Sequence, residues 1–302
     1  MREISQAYLD KHKGCVLCYS GSKARYLKEL YSVLPEEKGI KVLDAFAGGG
    51  SLCTNLPEDY AVTANDMETR VIDIHRELYN LVDHCLPEEA EGYIKKFCHK
   101  YVKDNKDKDG YQKLKDYYNK GVVSMREEPS DFIVDPLELF ALTMSSNTNY
   151  IRFNKAGEQT LQFGKRYYNT NSSKKMLNYM ERISKRDITW ESKDFREYDF
   201  TEYDLVIIDS PYAHNGKSTA TYNEQGGWQL QDLVNLLTKL DKAHEAGVKW
   251  ICFNEAVTKG TDNPIIQNWI NKYNVKILKD TTSGCSYQRT KDRSVEVMCY
   301  NF

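Results

Sequence analysis

The segment Leu205-Val-Ile-Ile-Asp209-Ser210-Pro211-Tyr212 combines residue types in an order that can do chemistry. Four apolar residues form a strand buried on both faces. The strand ends by delivering a carboxylate, a backbone carbonyl fixed by the following proline, and an aromatic ring. An exocyclic amine on a nucleobase is a poor nucleophile because its lone pair is delocalised into the ring. Two acceptors, the Asp209 carboxylate and the Ser210 carbonyl, match the two N–H donors of such an amine and favour a geometry that points its lone pair at an electrophilic methyl group. Tyr212 would then stack on the base once it has left its helix, as base-modifying enzymes require. The competing reading is a strand that ends in an ordinary Asp-Ser-Pro turn, so the weight of the motif depends on the rest of the chain.

A glycine turn supplies the second signal. Asp44-Ala-Phe46-Ala-Gly48-Gly49-Gly50 follows the apolar strand Lys41–Ala45, and a helix is expected after it. This is where an open parallel sheet binds nucleotide-like ligands, at its carboxyl edge. The pattern departs from a dinucleotide fingerprint because Cys53 stands where the last glycine would be. Alone, the turn fits a tight connection as well as a ligand loop. Asp66, at the end of the next strand (Tyr60 to Ala64, then Asn65), favours the ligand, since a carboxylate there can accept both hydroxyls of a ribose. No metal is expected. Cys15-Val-Leu-Cys18 has half of a zinc spacing with His12 nearby, but no second pair follows.

The elements that must position these residues divide the chain. A helix is predicted from Ser22, its cap, to Leu34, just before Pro35. After the second strand, Val71, Ile74, Leu78, Leu81, Val82 and Cys85 recur at helical spacing as a core-facing stripe. Residues 87–186 are polar and rich in lysine and tyrosine, with helices predicted near Tyr93–Lys103, Pro136–Ser146 and Ser172–Ile183 between loop-like stretches. They read as an insertion. The alternation then resumes with strand Leu205–Ile208, helix Gln229–Ala246, strand Val248–Phe253, helix Ile265–Tyr273 and strands near Val275–Leu278 and Val295–Tyr300. One α/β core, residues 1–86 with 187–302, interrupted by one module at 87–186, is the simplest architecture. Cys98-His99 is expected on a helix surface, while Tyr117-Tyr118 and Tyr167-Tyr168 suit either stacking or packing.

Charge is informative in its distribution. The formal net charge is −2, yet between Arg152 and Arg186 lie Lys155, Lys165, Arg166, Lys174, Lys175, Arg182 and Lys185 against Glu158 and Glu181. A local basic stretch on a near-neutral chain can hold phosphates, although lysine-rich surfaces are often only solvated. No apolar run approaches the roughly 18 to 20 residues needed to span a bilayer, so a membrane role is not expected. The N-terminal stretch lacks the apolar core of a signal peptide, and the eight cysteines are expected reduced, in the cytoplasm.

In order along the chain, these motifs resemble the Dam-type (D12 class) adenine-N6 DNA methyltransferases. Tyr19-Ser-Gly-Ser-Lys23 resembles that family's N-terminal glycine-lysine motif, and Asp44 to Gly50 resembles its methionine-side cofactor loop. Asn65-Asp66 resembles its ribose-binding acid, and Asp209-Ser210-Pro211-Tyr212 its DPPY catalytic motif. Lys193-Asp194-Phe195 resembles the segment lining the cofactor's adenine pocket, Arg152 to Gly164 the hairpin of the recognition module, Thr221-Tyr222 to Trp228 the mobile loop after the catalytic motif, and Glu296 to Tyr300 the last strand. The resemblance implies a Rossmann-like S-adenosylmethionine-dependent methyltransferase sheet with helices on both faces and an inserted, mainly helical target-recognition module containing a hairpin. It implies S-adenosyl-L-methionine held by Tyr19, Lys23, Asp44, Phe46, Gly48, Gly50, Asp66, Asp194, Phe195 and Asp209. Double-stranded DNA is the implied partner, and no obligate protein partner is expected. Thr148, Tyr150, Arg152, Asn154, Lys165, Arg166, Lys174, Lys175 and Tyr222 are the DNA-contacting candidates.

Two departures from the family pattern bear on rate and target. Ser210 stands where the first proline of DPPY is usual, leaving the carbonyl but a less restrained backbone. The hairpin keeps Arg152 but differs around it, so the resemblance leaves the target open between GATC and another sequence. Cytosine-C5 methylation is disfavoured because none of the seven prolines is followed by the cysteine such a nucleophile needs. N4-cytosine methylation shares the amine geometry and stays open, as do an RNA substrate and a catalytically weak DNA-binding relative.

Overall fold

The all-apolar run Leu205–Ile208 has to be covered on both faces, and in the computed structural model all four side chains are inaccessible to solvent. The structure describes residues 2–12, 15–17, 19, 21–127, 134–148, 151–214, 217–218, 227–258, 260–281 and 293–302. Leu205–Ile208 is β4. Its companions are β1 (Lys41–Asp44), β2 (Ala61–Asn65), β3 (Asp187–Glu191), β5 (Lys249–Thr258), β6 (Asn274–Thr281) and β7 (Ser294–Tyr300), in the order β3-β2-β1-β4-β5-β7-β6. Pairing is parallel from β3 to β5, with Asp44 opposite Ile207 and Ile208 opposite Cys252. β7 runs antiparallel to both β5 and β6, and a two-residue strand, Thr261–Asp262, adds to β5.

Because side chains alternate along a strand, β4 feeds two separate cores. Leu205 and Ile207 join a cluster covered by α1 (Gln6–His12), α2 (Leu27–Tyr31), α3 (Thr69–His84), α4 (Pro87–Tyr101), α5 (Lys108–Glu127), α6 (Pro136–Ser145) and α7 (Thr170–Ile183). Val206 and Ile208 join the other, covered by α8 (Leu230–Glu245) and α9 (Pro264–Ile270). Each such side chain contributes about 1.5–3 kcal/mol when fully buried. β4 is therefore held firmly at the point where it must present Asp209.

The structure departs from the sequence reading in five places. In place of a helix from Ser22 to Leu34 there is a 3₁₀ turn, Ala24–Tyr26, followed by the short α2, and Lys23 just before the turn is drawn inward to 1% exposure. The glycine turn leads into a 3₁₀ turn, Cys53–Asn55, and not into an α-helix. There the Thr54 hydroxyl donates to the Gly50 carbonyl and the Asn55 amide to the Ser51 carbonyl, and Pro57 closes the segment. α5 occupies a stretch expected to be loop-like: glycines and lysines obscure its stripe of Tyr111, Leu114, Tyr118 and Val122, all buried. β3 also escaped notice: it is short, burying Ile188 and Trp190 while Asp187 and Thr189 face out. Cys98, expected at a surface, is 3% exposed within the core.

Two paired stretches build the hairpin-like region between α6 and α7. At its base Ser146 bridges Phe163, the Asn147 amide donates to the Gln162 carbonyl and the Gly164 amide to the Ser145 carbonyl. At its tip Phe153 bridges Gln159 across a turn in which the Asn154 side chain accepts from the amides of Ala156 and Glu158. Asn119 on α5 clasps Gln159 through both its amide groups. Gly164 is pressed so closely on the opposite chain that an added Cβ would lie 2.3 Å from the Ser146 carbonyl oxygen. Gly164→Ala is therefore expected to destabilise the protein by about 1–3 kcal/mol, seen as a lowered thermal midpoint. An unchanged midpoint would show that the hairpin base separates freely.

Candidate active site

Three strands end in carboxylates at one edge of the sheet. β1 brings Asp44, β2 is followed by Asp66 and β4 by Asp209. Between the first two lies the glycine turn, with Gly48 at φ 49° and Gly50 at φ 76°, in the left-handed region that side chains disfavour. A Cβ on Gly48 would lie 2.7 Å from the Tyr19 ring, so the absence of a side chain is what lets Tyr19 close over the loop.

The loop is held from below. The Gly48 amide donates to Asp66 at 2.9 Å, and the Gly48 carbonyl meets His75 Nε2 at 3.0 Å. Burial lowers the His75 pKa to about 4, so the ring is neutral. A carbonyl only accepts, so Nε2 carries the hydrogen and Nδ1 accepts from the Tyr179 hydroxyl of α7 at 2.6 Å. Trp190 of β3 stacks on the ring at 4.4 Å. Asn65 joins the neighbouring segments, donating to the carbonyls of Ala45 and Lys193 and accepting from the Lys193 amide.

The acids differ in what they still offer. Asp44 is fully buried; one of its oxygens accepts from the Cys53 amide at 3.1 Å and the other has no partner. Burial, reinforced by the charge of Asp209, pushes its pKa up to about 7. Asp66, raised by burial to about 6, accepts one backbone amide on each oxygen, from Gly48 and from Glu68, which leaves lone pairs for further donors. Phe46, Phe195 and Trp228 form a triangle of rings, each pair 5.5 Å apart between centroids. Beside them Asp194 caps a 3₁₀ turn and pairs with Arg196, whose hydrogen bond holds its carboxyl below the usual range.

Asp209 is the centre of a buried ionic network. The Lys23 ammonium lies 2.7 Å from Asp209, donates to the Gly21 carbonyl at 2.7 Å and sits 3.5 Å from Glu296. Glu296, reached by sequence reasoning only as part of a strand, accepts from Tyr26 at 2.6 Å, Arg25 at 2.8 Å and Tyr212 at 3.1 Å. Burial pushes its pKa up, but the hydrogen bonds and nearby cations leave it below the usual value. The signal was a charged residue in the apolar run Ser294-Val-Glu-Val-Met-Cys-Tyr300, because a buried charge needs partners. Burial raises Asp209 itself to about 6, against the opposing pull of Lys23. Ser210 is 2% exposed with its hydroxyl unpartnered, while Pro211 and Tyr212 are half-buried at the edge.

The DNA-contacting candidates are less gathered. Arg152, Lys165, Arg166, Lys174 and Lys175 are exposed and Thr148 is half-buried. Lys165 adopts φ 54°. Asn154 organises its own turn, as described above, and also donates to Glu158 at 2.7 Å. Tyr150 and Tyr222 lie outside the described residues, as does Cys18. Arg182 and Arg186, counted with the basic stretch, are instead buried at 1% and 6%, where Arg186 donates to the carbonyls of Leu56 and Arg182. They do not belong to a phosphate-binding surface.

A mostly parallel sheet flanked by helices, with a glycine loop after β1, an acid after β2 and an acid-led turn after β4, is consistent with the methyltransferase class of α/β proteins. Residues 19–283 match the model of the D12 class N6 adenine-specific DNA methyltransferases, and the chain belongs to that family. It is similar to the type II methyltransferase M.FokI of Planomicrobium okeanokoites, with 25% identity over 295 residues, 95% of this chain and 42% of that protein. Similar too are the modification methylases StsI of Streptococcus sanguinis, 24% identical over 95% of this chain and 42% of the relative, and LlaI of Lactococcus lactis subsp. lactis, 24% identical over 94% and 43%. The chain thus spans about two fifths of the length of these curated relatives, as the 42–43% coverage states. Among the described residues no helix is long and apolar enough to cross a membrane.

An ionised Asp209 accepts hydrogen bonds and a protonated one donates, so an activity that uses it as an acceptor is expected to lose kcat/KM as pH drops through about 6. Asp44 titrates in a similar range, but Lys23 is not among the causes of its shift. Lys23→Met removes a cation that lowers the Asp209 value and should move the acid limb upward by about one to three pH units. An acid limb that stays in place would assign it to another group.

Proposed function

We propose that the chain transfers a methyl group from S-adenosyl-L-methionine to N6 of an adenine flipped out of double-stranded DNA, at a defined sequence. The observation that carries this reading is the Asp209 carboxylate, whose side chain is 15% exposed at the sheet edge. It is fixed by Lys23 at 2.7 Å beside the Ser210 carbonyl and Tyr212, at the same sheet edge as the glycine loop. Family membership and the modification methylases among its relatives support it.

The cofactor residues fit the group. The partnerless oxygen of Asp44 suits the amino group of the methionine moiety, Asp66 keeps acceptor capacity for ribose hydroxyls, and Phe46, Phe195 and Trp228 offer apolar faces to an adenine ring. When bound, S-adenosylmethionine supplies an electrophilic methyl on a sulfonium. The protein's part is positional: Asp209 and the Ser210 carbonyl each accept one N–H of the target amine, and Tyr212 stacks on the base. Asp209→Ala should lower turnover by about 10²–10³-fold or more, because such charge-directed contacts commonly supply about 3–4 kcal/mol in the transition state. Its affinity for S-adenosylhomocysteine should stay within about tenfold of the parent, since the group acts mainly on the amine. Nucleoside mass spectrometry of treated DNA checks the target: N6-methyladenine is expected, and N4-methylcytosine or no product would overturn the assignment.

Within this reading, residues 87–186 serve recognition. An arginine such as Arg152 can fork to guanine O6 and N7 in the major groove, whereas Lys174 and Lys175 suit phosphates. Arg152→Ala should cost about 1–3 kcal/mol on the preferred site and relax discrimination at one position, while Lys174→Ala should weaken all DNA alike and flatten the salt dependence. Sequencing of methylated sites for both variants decides this. An unaltered preference in Arg152→Ala would remove it from base reading.

A further inference from the structure

The first turn of α3 joins the edge of the cofactor site to the tip of the hairpin. Asp66 accepts the Glu68 amide at 2.9 Å. The Glu68 carboxylate holds the Arg70 guanidinium in a fork, at 2.6 and 2.9 Å, and also accepts the Arg70 backbone amide. From that fixed position Arg70 donates to the Gly157 carbonyl at 3.2 Å and lays its guanidinium 3.3 Å from the centroid of the Phe153 ring. Phe153 stands between Arg152 and Asn154, and Gly157 closes the same turn. An exposed ion pair needs neither a stacked ring nor a carbonyl from a segment 87 residues away. A guanidinium can satisfy all three partners at once because it is planar, with donors in its plane and an apolar face.

We propose that Arg70 is a positioning residue that sets the hairpin tip relative to the cofactor site, so that DNA discrimination and cofactor binding are coupled through it. This rests on the reading of the hairpin as the element that meets DNA. A nucleoside bound on Asp66 stiffens the segment 66–70, and the hairpin docked on that segment presents Arg152 in a narrower range of positions. By reciprocity, DNA held by the hairpin favours the cofactor-binding arrangement of Asp66.

Arg70→Lys keeps a cation for Glu68 but loses the fork and the planar stack, Arg70→Met keeps only the stem, and Phe153→Leu removes the ring and leaves the ion pair intact. Arg152→Ala reports on the hairpin itself. Each variant is checked for its thermal midpoint, for S-adenosylhomocysteine affinity by calorimetry, and for DNA affinity with and without S-adenosylhomocysteine. Its methylation preference is read by sequencing a randomised duplex library. In both Arg70 variants cofactor affinity without DNA should stay within about threefold of the parent, while discrimination against single mismatches should fall about tenfold or more. The strengthening of DNA binding by S-adenosylhomocysteine should collapse toward unity, and Phe153→Leu should reproduce both losses. If Arg152→Ala relaxes the preference while the Arg70 and Phe153 variants retain full discrimination and coupling, the clamp is wrong and the hairpin reading stands. If Arg152→Ala and Phe153→Leu both leave the preference intact, the hairpin reading fails and the clamp falls with it. Should Arg70→Met not fold, Arg70→Lys and Phe153→Leu still decide.

Discussion

The active edge of this protein depends on one buried ammonium. Asp209, 15% exposed, stands just past β4, and Glu296, 7% exposed, lies on β7, two strands separated by β5. Two carboxylates that close repel each other and are each costly to desolvate. Lys23, itself 1% exposed, lies between them and resolves the conflict, with the Gly21 carbonyl taking another of its donors. Its neighbours Arg25 and Tyr26 satisfy the outer oxygen of Glu296. A short N-terminal segment thereby becomes part of a site built on the far end of the sequence. It also sets Tyr212, whose hydroxyl shares Glu296 and whose ring lies 5.1 Å from the Lys23 nitrogen. Loss of this cation would leave two carboxylates close together without a compensating charge.

The glycine loop is supported by a different means. Its carbonyl at Gly48 is held by a histidine kept neutral by burial, and that histidine is in turn oriented by Tyr179 of α7 and stacked on Trp190 of β3. α7 also carries Lys174 and Lys175 on its exposed side. One helix thus touches the loop's support on its inner face and offers cations to solvent on its outer face. The helices of residues 87–186 pack into the same apolar cluster as α3 and one face of the sheet. The segment is therefore joined to the sheet through a core as well as through its ends, and a shift of α7 would be felt at the loop.

Sequence legibility followed burial and periodicity. β4 and the helices that flank it on the far side, α8 and α9, were located within a few residues because a four-residue apolar run and clear helical stripes leave few alternatives. α5 is illegible in the sequence since its buried face includes tyrosines set among lysines, and β3 because its alternation covers five residues. The expected helix after the glycine turn gave way to side chains that bond back to their own backbone. Arg182 and Arg186 are buried against the expectation of an exposed basic stretch because composition counts charges without saying which way their side chains face.

The sequence by itself determined which residue types end each strand. Asp44, Asp66 and Asp209 could be placed at one edge because parallel strands following buried runs must all terminate there. What only the tertiary structure decided is which groups those acids meet. Lys23 and Glu296 are 273 positions apart, as are no neighbours that periodicity can reveal; Arg70 and Phe153 touch only because α3 begins where the hairpin tip comes to rest. Local patterns follow from backbone geometry and solvent exclusion, which act over a few residues. Pairing of buried charges and stacking of a guanidinium on a ring are short-ranged in space and indifferent to separation along the chain, so they appear only once the sheet has brought distant segments together.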